Sequence, residues 1–226
     1  METLDCISLR RSVRKYKPDT VAWDLIGQIM IAARDAPSSG NLQNWQFIIV
    51  EDQDSRNSIA EACLRQMWMC EAPVFIVVCA DVDKATQFYG IRGDKLYSIQ
   101  NCAAAVQNIL LAATDLGLGS CWVGAFDEEK IKDILGIPEH IRPQAVVTIG
   151  YPDERPRDPP WKHDLYTICF LESHGGRIHN VDHVLGYHSE KVVRAGNAVK
   201  KGANKSADTL KGWLDKGREY VKNRKK

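Results

Sequence analysis

Apolar and polar positions divide the chain into short blocks with two distinct periods. Leu25, Ile26, Ile29, Met30 and Ala33 recur at three- and four-residue steps, which predicts a helix over Trp23 to Ala36. Trp45 to Val50 then turns apolar almost without break and reads as a strand. Pro73 to Cys79 is apolar on both parities, the pattern of a central strand covered on both faces. Ala145 to Gly150 reads as a third strand and Leu165 to Leu171 as a last one. Helical patterns occupy residues 3 to 10, with Thr3 as N-cap and Leu4, Ile7 and Leu9 facing inward, and Ser55 to Trp68. The longest helical pattern, Lys95 to Leu116, is apolar almost all round, so it belongs in a core or at a subunit interface. Gly117 suits its C-cap, and Asp127 suits the N-cap of a helix ending near Gly136. Residues 81–94 show little periodicity and read as a loop or mobile cover, and 153–162 as an extended, proline-rich crossing segment.

Between the helix at 23–36 and the strand at 45–50 lies Ala36-Pro-Ser-Ser-Gly-Asn-Leu-Gln-Asn-Trp-Gln-Phe47. Pro37 stops the helix, because its ring clashes with the preceding turn and it lacks an N–H. Ser38, Ser39, Asn41, Gln43 and Asn44 then place neutral donors and acceptors in one short loop between rigid elements, either a binding loop or an ordinary connection. The run Arg10-Arg-Ser-Val-Arg-Lys-Tyr16 offers planar forks and a hydroxyl that suit a phosphate; a solvated basic surface is the alternative. Gly119 and Gly124 flank a short strand in Gly117-Leu-Gly-Ser-Cys-Trp-Val-Gly-Ala-Phe126, where missing side chains would let backbone approach a flat ligand.

Composition adds bounds. With 226 residues, 44% hydrophobic and 26% charged, the chain can bury one sizeable core plus an appendage. Seven cysteines without C-x-x-C spacing read as reduced, buried thiols of a cytoplasmic protein. No signal peptide or bilayer-spanning segment is recognisable. His179 and His183 have helical i, i+4 spacing but no accompanying carboxylate pattern, so no metal site is expected. From about residue 177 the composition changes. Residues 177–226 read as a basic amphipathic helical extension, solvated, bracing an oligomer or lying on an anionic membrane surface. Nothing in it argues for nucleic acid.

Taken together and in order, Arg10–Arg14, Ala36–Phe47 and Gly117–Phe126 resemble the nitroreductase family of flavoproteins, over about residues 3 to 175. The resemblance implies an α+β fold, a mainly antiparallel sheet flanked by helices in residues 1–176, and a homodimer whose subunits exchange a strand. It implies FMN at the dimer interface, NADH or NADPH as donor and a small planar acceptor such as a nitroaromatic or quinone. By position, Arg10, Arg11, Ser12 and Arg14 would hold the phosphate and ribityl chain. Pro37, Ser38, Ser39 and Asn41 of the other subunit would line the flavin, and Val123 and Gly124 would meet its reactive edge. Arg157, with Lys162 and Arg155 as rivals, would complete the phosphate site. Asn44 stands where family members commonly carry proline. No catalytic side chain is expected, because the flavin carries the chemistry. A reductive dehalogenase, a metabolite dehydrogenase or a tail-directed membrane-binding flavoprotein are the alternatives, with Tyr89, Arg92 and Lys95 the groups facing substrate in the narrower reactions.

Overall fold

Strand β2 (Val74–Asp81) is buried along almost its whole length, as an apolar run on both parities requires. In the computed structural model, which describes residues 1–154 and 160–177, it pairs with β1 (Trp45–Val50) on one side and β4 (Ile141–Gly150) on the other. Strand β3 (Gly119–Val123) completes a four-stranded sheet of order β1-β2-β4-β3, antiparallel throughout. Pro143 lies within β4, where the register against β2 slips between Val78 and Cys79. The fold class is therefore α+β, as expected.

Parity decides which layer each strand residue meets. Val74, Ile76 and Val78 of β2, with Val147 and Ile149 of β4, pack under α2 (Trp23–Arg34) and α5 (Ser98–Asp115). Phe75, Val77 and Val146 face the other way, toward α3 (Gln53–Ala62) and α6 (Glu128–Leu135), and toward Val13 and Tyr16 of the N-terminal segment. Each fully buried valine, isoleucine or phenylalanine contributes about 1.5–3 kcal/mol, so both layers are strongly held. Asp52 and Asp127 cap α3 and α6 by accepting from the Ser55 and Lys130 backbone N–H groups, and Gly136 ends α6 in the left-handed conformation. Gly117, at φ +79°, follows the last turn of α5.

Several expectations are corrected. Helix α1 (Thr3–Leu9) buries Cys6, whereas Leu4, Ile7 and Leu9 are exposed, and Glu2 rather than Thr3 occupies the cap position. Helix α3 stops at Ala62 because Leu64 and Arg65 adopt left-handed φ; a short turn at Met67–Glu71 then carries Met69 into the core. Residues 81–94 are no loop. Asp81 accepts from the Lys84 N–H and starts α4 (Val82–Tyr89), whose single buried residue, Ala85, leaves too little pattern to read. A wide turn at Gly93–Tyr97 leads from there into α5.

The chain divides into two compact units, Met1–Pro159 and Pro160–Lys226. Within the second unit, Asp164 accepts from the Tyr166 N–H and opens a single helical turn, α7 (Leu165–Ile168), where a strand was expected. A strand needs a ladder partner, and residues 160–177 contain no strand. The strand exchange that the resemblance implied thus has no strand to carry it among the described residues. The expected extension at 177–226 lies outside those residues from 178 onward.

Candidate functional site

Residues 10–17 form no regular element, yet backbone bonds tie the segment down at several points. The Val13 N–H donates to the Ser120 carbonyl at 3.0 Å, beside a parallel bridge between Ser12 and Ser120. The Lys17 N–H donates to the Tyr151 carbonyl and the Asp153 N–H to the Lys15 carbonyl. The Tyr16 hydroxyl donates to the Val13 carbonyl at 2.7 Å. Its single proton being so used, Thr148 Oγ1 must donate to it across their 2.7 Å contact. The segment is clasped onto β3 and β4.

Within the clasp, Ser12 is bridged to Ser120 of β3, with Arg10 and Arg14 two residues to either side of it. Burial pushes the Cys121 thiol up, while Arg14, the Ser12 hydroxyl and Arg10 pull against that rise. Arg14 also lies over the Trp68 ring, 5.6 Å from its centre. Arg11 is partly committed: its Nη1 donates to the carbonyls of Ser8 and Arg10, holding the end of α1. Two buried polar atoms here have no partner among the described residues, Arg11 Nε and Ser120 Oγ. Such orphans cost about 1–3 kcal/mol each unless a ligand satisfies them.

The 36–44 loop is equally fixed. Gly40, Asn41 and Gln43 adopt left-handed φ of 56°, 56° and 49°. For the two non-glycines that strain persists only where the surroundings impose it, typically at ligand clamps. Ser38 Oγ accepts from the Gln43 N–H, and Asn41 Oδ1 accepts from Gln43 Nε2. Asn101 Oδ1 of α5 accepts from both the N–H and the hydroxyl of Ser39. Asn44 is buried, its amide donating to the Asp81 carbonyl and Ser98 Oγ and accepting from Asn101 Nδ2. This bonding gives the Asn44 side chain a structural task. Pro37, Gly40 and Asn41 remain exposed, and the Tyr89 hydroxyl of α4 packs against Gly40.

Along β3, Val123 is buried and Gly124 exposed, with only Trp122 Nε1, at 3.7 Å, near where a Cβ on Gly124 would stand. Gly119 serves a different purpose from the one its motif suggested. A Cβ there would meet Val13 at 2.9 Å, so the missing side chain admits the clasped segment, not a ligand.

The predicted residues thus fall into two half-sites. Arg10, Arg11, Ser12 and Arg14 dock on β3, which ends in Val123 and Gly124; Pro37, Ser38, Ser39 and Asn41 dock on α5 and α4. No described hydrogen bond joins the halves. Arg155 and Arg157 lie outside the described residues, and Lys162 is exposed in the second unit. Lys95 is paired with Asp94 at 2.6 Å, and Arg92 lies over the Tyr97 ring. A cavity of about 660 Å³ beside α6 is lined by none of the predicted flavin-site residues, and its Lys132 and Arg142 are paired with Glu129, Glu139 and Glu128. Among the described residues no His, Cys, Asp or Glu group could hold a metal, and no helix is long and apolar enough to cross a membrane. Tyr16, Asn101 and Ser120 escaped the sequence reading. The one available signal was polarity out of place: Ser98 and Asn101 interrupt an otherwise apolar helical pattern.

Comparison with known proteins gives a consistent result. The family model described as "Nitroreductase family" matches residues 7–69 and 61–151. A protein of Methanothermobacter thermautotrophicus, provisionally named NADH dehydrogenase/NAD(P)H nitroreductase, is 38% identical over 162 residues, covering 69% of this chain and 80% of its own. The FMN reductase [NAD(P)H] of Bacillus subtilis is 30% identical, covering 70% of this chain and 69% of its own. A crystal structure from Parabacteroides distasonis, with the same provisional name as the archaeal protein, superposes with a TM-score of 0.68 at 32% identity. It covers 76% of this chain and 99% of that one.

Proposed function

The chain belongs to the nitroreductase family, and from that premise we propose that it is an FMN-dependent oxidoreductase, drawing on NADH or NADPH and reducing a small planar acceptor such as a nitroaromatic or quinone. The observation that carries the assignment of the seat is the clasp at 10–17, which gathers Arg10, Ser12 and Arg14 and leaves Arg11 Nε and Ser120 Oγ buried without partners. Planar guanidinium forks, a hydroxyl and two orphaned polar atoms fit a phosphate on a polyhydroxyl chain. When bound, FMN supplies the hydride and electron transfer.

The protein's own residues bind and orient. Arg10, Arg14 and Ser12 hold the phosphate end, with Arg11 fixing the backbone between them through the end of α1. Gly124, exposed next to the buried Val123, presents main chain at an open surface where a glycine admits a flat ring. Pro37, Ser38, Ser39 and Asn41 form a rigid polar wall.

That wall and the clasp lie on separate halves, which supports a homodimer in which each subunit completes the other's seat. Leu4 and Ile7 of α1, Ile31 of α2 and Ile99 of α5 are exposed on the single chain and would be covered by the second copy. Free cysteines throughout the described residues suit the reducing cytoplasm. The order of α4, with Tyr89 against Gly40, favours as a second reading a narrower acceptor range set by this cover.

Purified protein loaded with FMN should show flavin absorbance that NADH or NADPH bleaches and a quinone restores. Protein that stays colourless after incubation with FMN overturns the reading.

A further inference from the structure

We propose that Asn101 is a positioning residue, joining the loop that forms the flavin-side wall to the turn that carries the α4 cover. Its Oδ1 accepts from the Ser39 N–H at 2.9 Å and from the Ser39 hydroxyl at 3.2 Å. Its Nδ2 donates to Asn44 Oδ1 at 2.8 Å. Asn44 Nδ2 donates at 3.0 Å to Ser98 Oγ, and Ser98 Oγ donates at 2.8 Å to the Gly93 carbonyl. Asn44 also bonds the Asp81 backbone on both sides, its Nδ2 donating to the Asp81 carbonyl and its own carbonyl accepting from the Asp81 N–H. The chain of bonds therefore runs from Ser39 through Asn101, Asn44 and Ser98 to Gly93.

The relay has one direction. Flipping the Asn101 amide would set an NH2 against the Ser39 N–H and an oxygen against Asn44 Oδ1, so neither neighbour would be satisfied. Asn44, Ser98 and Asn101 are 1%, 0% and 2% exposed, so a partner lost here is not replaced by bulk solvent. At the far end the backbone of Gly93 packs so closely on the Ala85 carbonyl that no side chain fits, which fixes α4 to the same turn. Tyr89 of α4 then returns to Gly40 of the loop. The loop and the turn that carries α4 are held in register through the buried side-chain amides of Asn101 and Asn44.

The inference rests on reading the 37–41 loop as the flavin-side wall, but its test does not need the flavin. Asn101→Leu removes both ends of the junction, Asn101→Asp keeps an acceptor for Ser39 while removing the donor to Asn44, and Ser98→Ala removes both the acceptor for Asn44 Nδ2 and the donor to the Gly93 carbonyl. Hydrogen exchange of the unliganded protein should accelerate about fivefold or more at both 38–43 and 82–97 in Asn101→Leu, but only at 82–97 in the other two. With FMN, Asn101→Leu should weaken flavin binding about tenfold, whereas Asn101→Asp should restore flavin affinity and keep a raised acceptor KM with little change in kcat. Equal exchange at both segments in wild type and Asn101→Leu overturns the proposal, as does Asn101→Asp loosening 38–43 as much as leucine does. Should Asn101→Leu not fold, Ser98→Ala decides alone: unchanged exchange at 82–97 sinks the relay. Wild type that refuses FMN sinks the proposed function and leaves the exchange result standing.

Discussion

The hydroxyl of Tyr16 and Oγ1 of Thr148 lie 2.7 Å apart in the core, tying the N-terminal segment to the middle of β4. One proton goes from Tyr16 to the Val13 carbonyl and another arrives from Thr148, so both buried hydroxyls are satisfied by protein partners. Replacing Tyr16 with phenylalanine orphans Thr148 and the Val13 carbonyl together. Stability should fall by about 1–3 kcal/mol, visible in urea unfolding, with weaker FMN binding as the clasp loosens.

Gly119→Ala tests the same clasp from the other side. A methyl group there would press on Val13 at 2.9 Å, and the segment would have to move off β3. Overpacking of this kind costs about 1–3 kcal/mol. Thermal denaturation should show that loss, and fluorescence titration should show FMN affinity falling with it. Gly124→Ala, with nothing nearer than 3.7 Å, should leave stability unchanged.

Alkaline pH should destabilise the fold. Burial pushes the thiols of Cys63, Cys79 and Cys102 up to about 12 from an ordinary 9.0. Burial likewise raises the Tyr16 hydroxyl. These groups are neutral when protonated, so below pH 9 folded and unfolded chains both keep the thiol protons and the contribution is complete. Between about 9 and 12 the unfolded chain releases its thiol protons first, and stability declines by up to about 1.4 kcal/mol per pH unit for each thiol. Urea unfolding from pH 7 to pH 11 measures the slope; Cys63→Ala should make it shallower.

Glu128 and Arg142 form a bidentate pair at 2.7 and 2.8 Å, and the hydrogen bond to Arg142 holds the Glu128 carboxyl below its usual range. Both side chains are more than a third exposed, so solvent screens the pair. Its contribution is present above pH 4.5 and is lost as pH falls through the lowered value of the folded state. Glu128→Gln should cost under about 1 kcal/mol at pH 7 and nothing in strong acid, by urea unfolding at the two values.

Much of this arrangement could be read in advance, for reasons particular to each stretch. Val74 to Cys79 is apolar on both parities and could only be a covered strand. Pro37 ends a helix wherever it occurs in such a pattern, so the loop after α2 was evident. Helix α4 was hidden because Ala85 alone is buried, and a helix with one inward residue has no period. Leu165 to Leu171 carries the composition of a strand, but composition does not supply the neighbour a strand requires, and Asp164 turned the chain instead. Of the site, the basic run and the polar loop were visible because they are unusual in composition. The purposes of Gly119, Asn44 and Asn101 were not, since each depends on a partner dozens of residues away.

One consequence of the sheet order concerns the timing of synthesis. Ser12 bridges Ser120 and Tyr16 bridges Pro152, so the first-made residues of the site must wait for nearly the last strand before they find their place. A ribosome releasing this chain exposes β1 and β2 well before β4 can separate β2 from solvent. The arginines reach their final geometry only when β3 and β4 have emerged, which makes ligand capture a late event and leaves the nascent half-sheet dependent on protection from other chains until then.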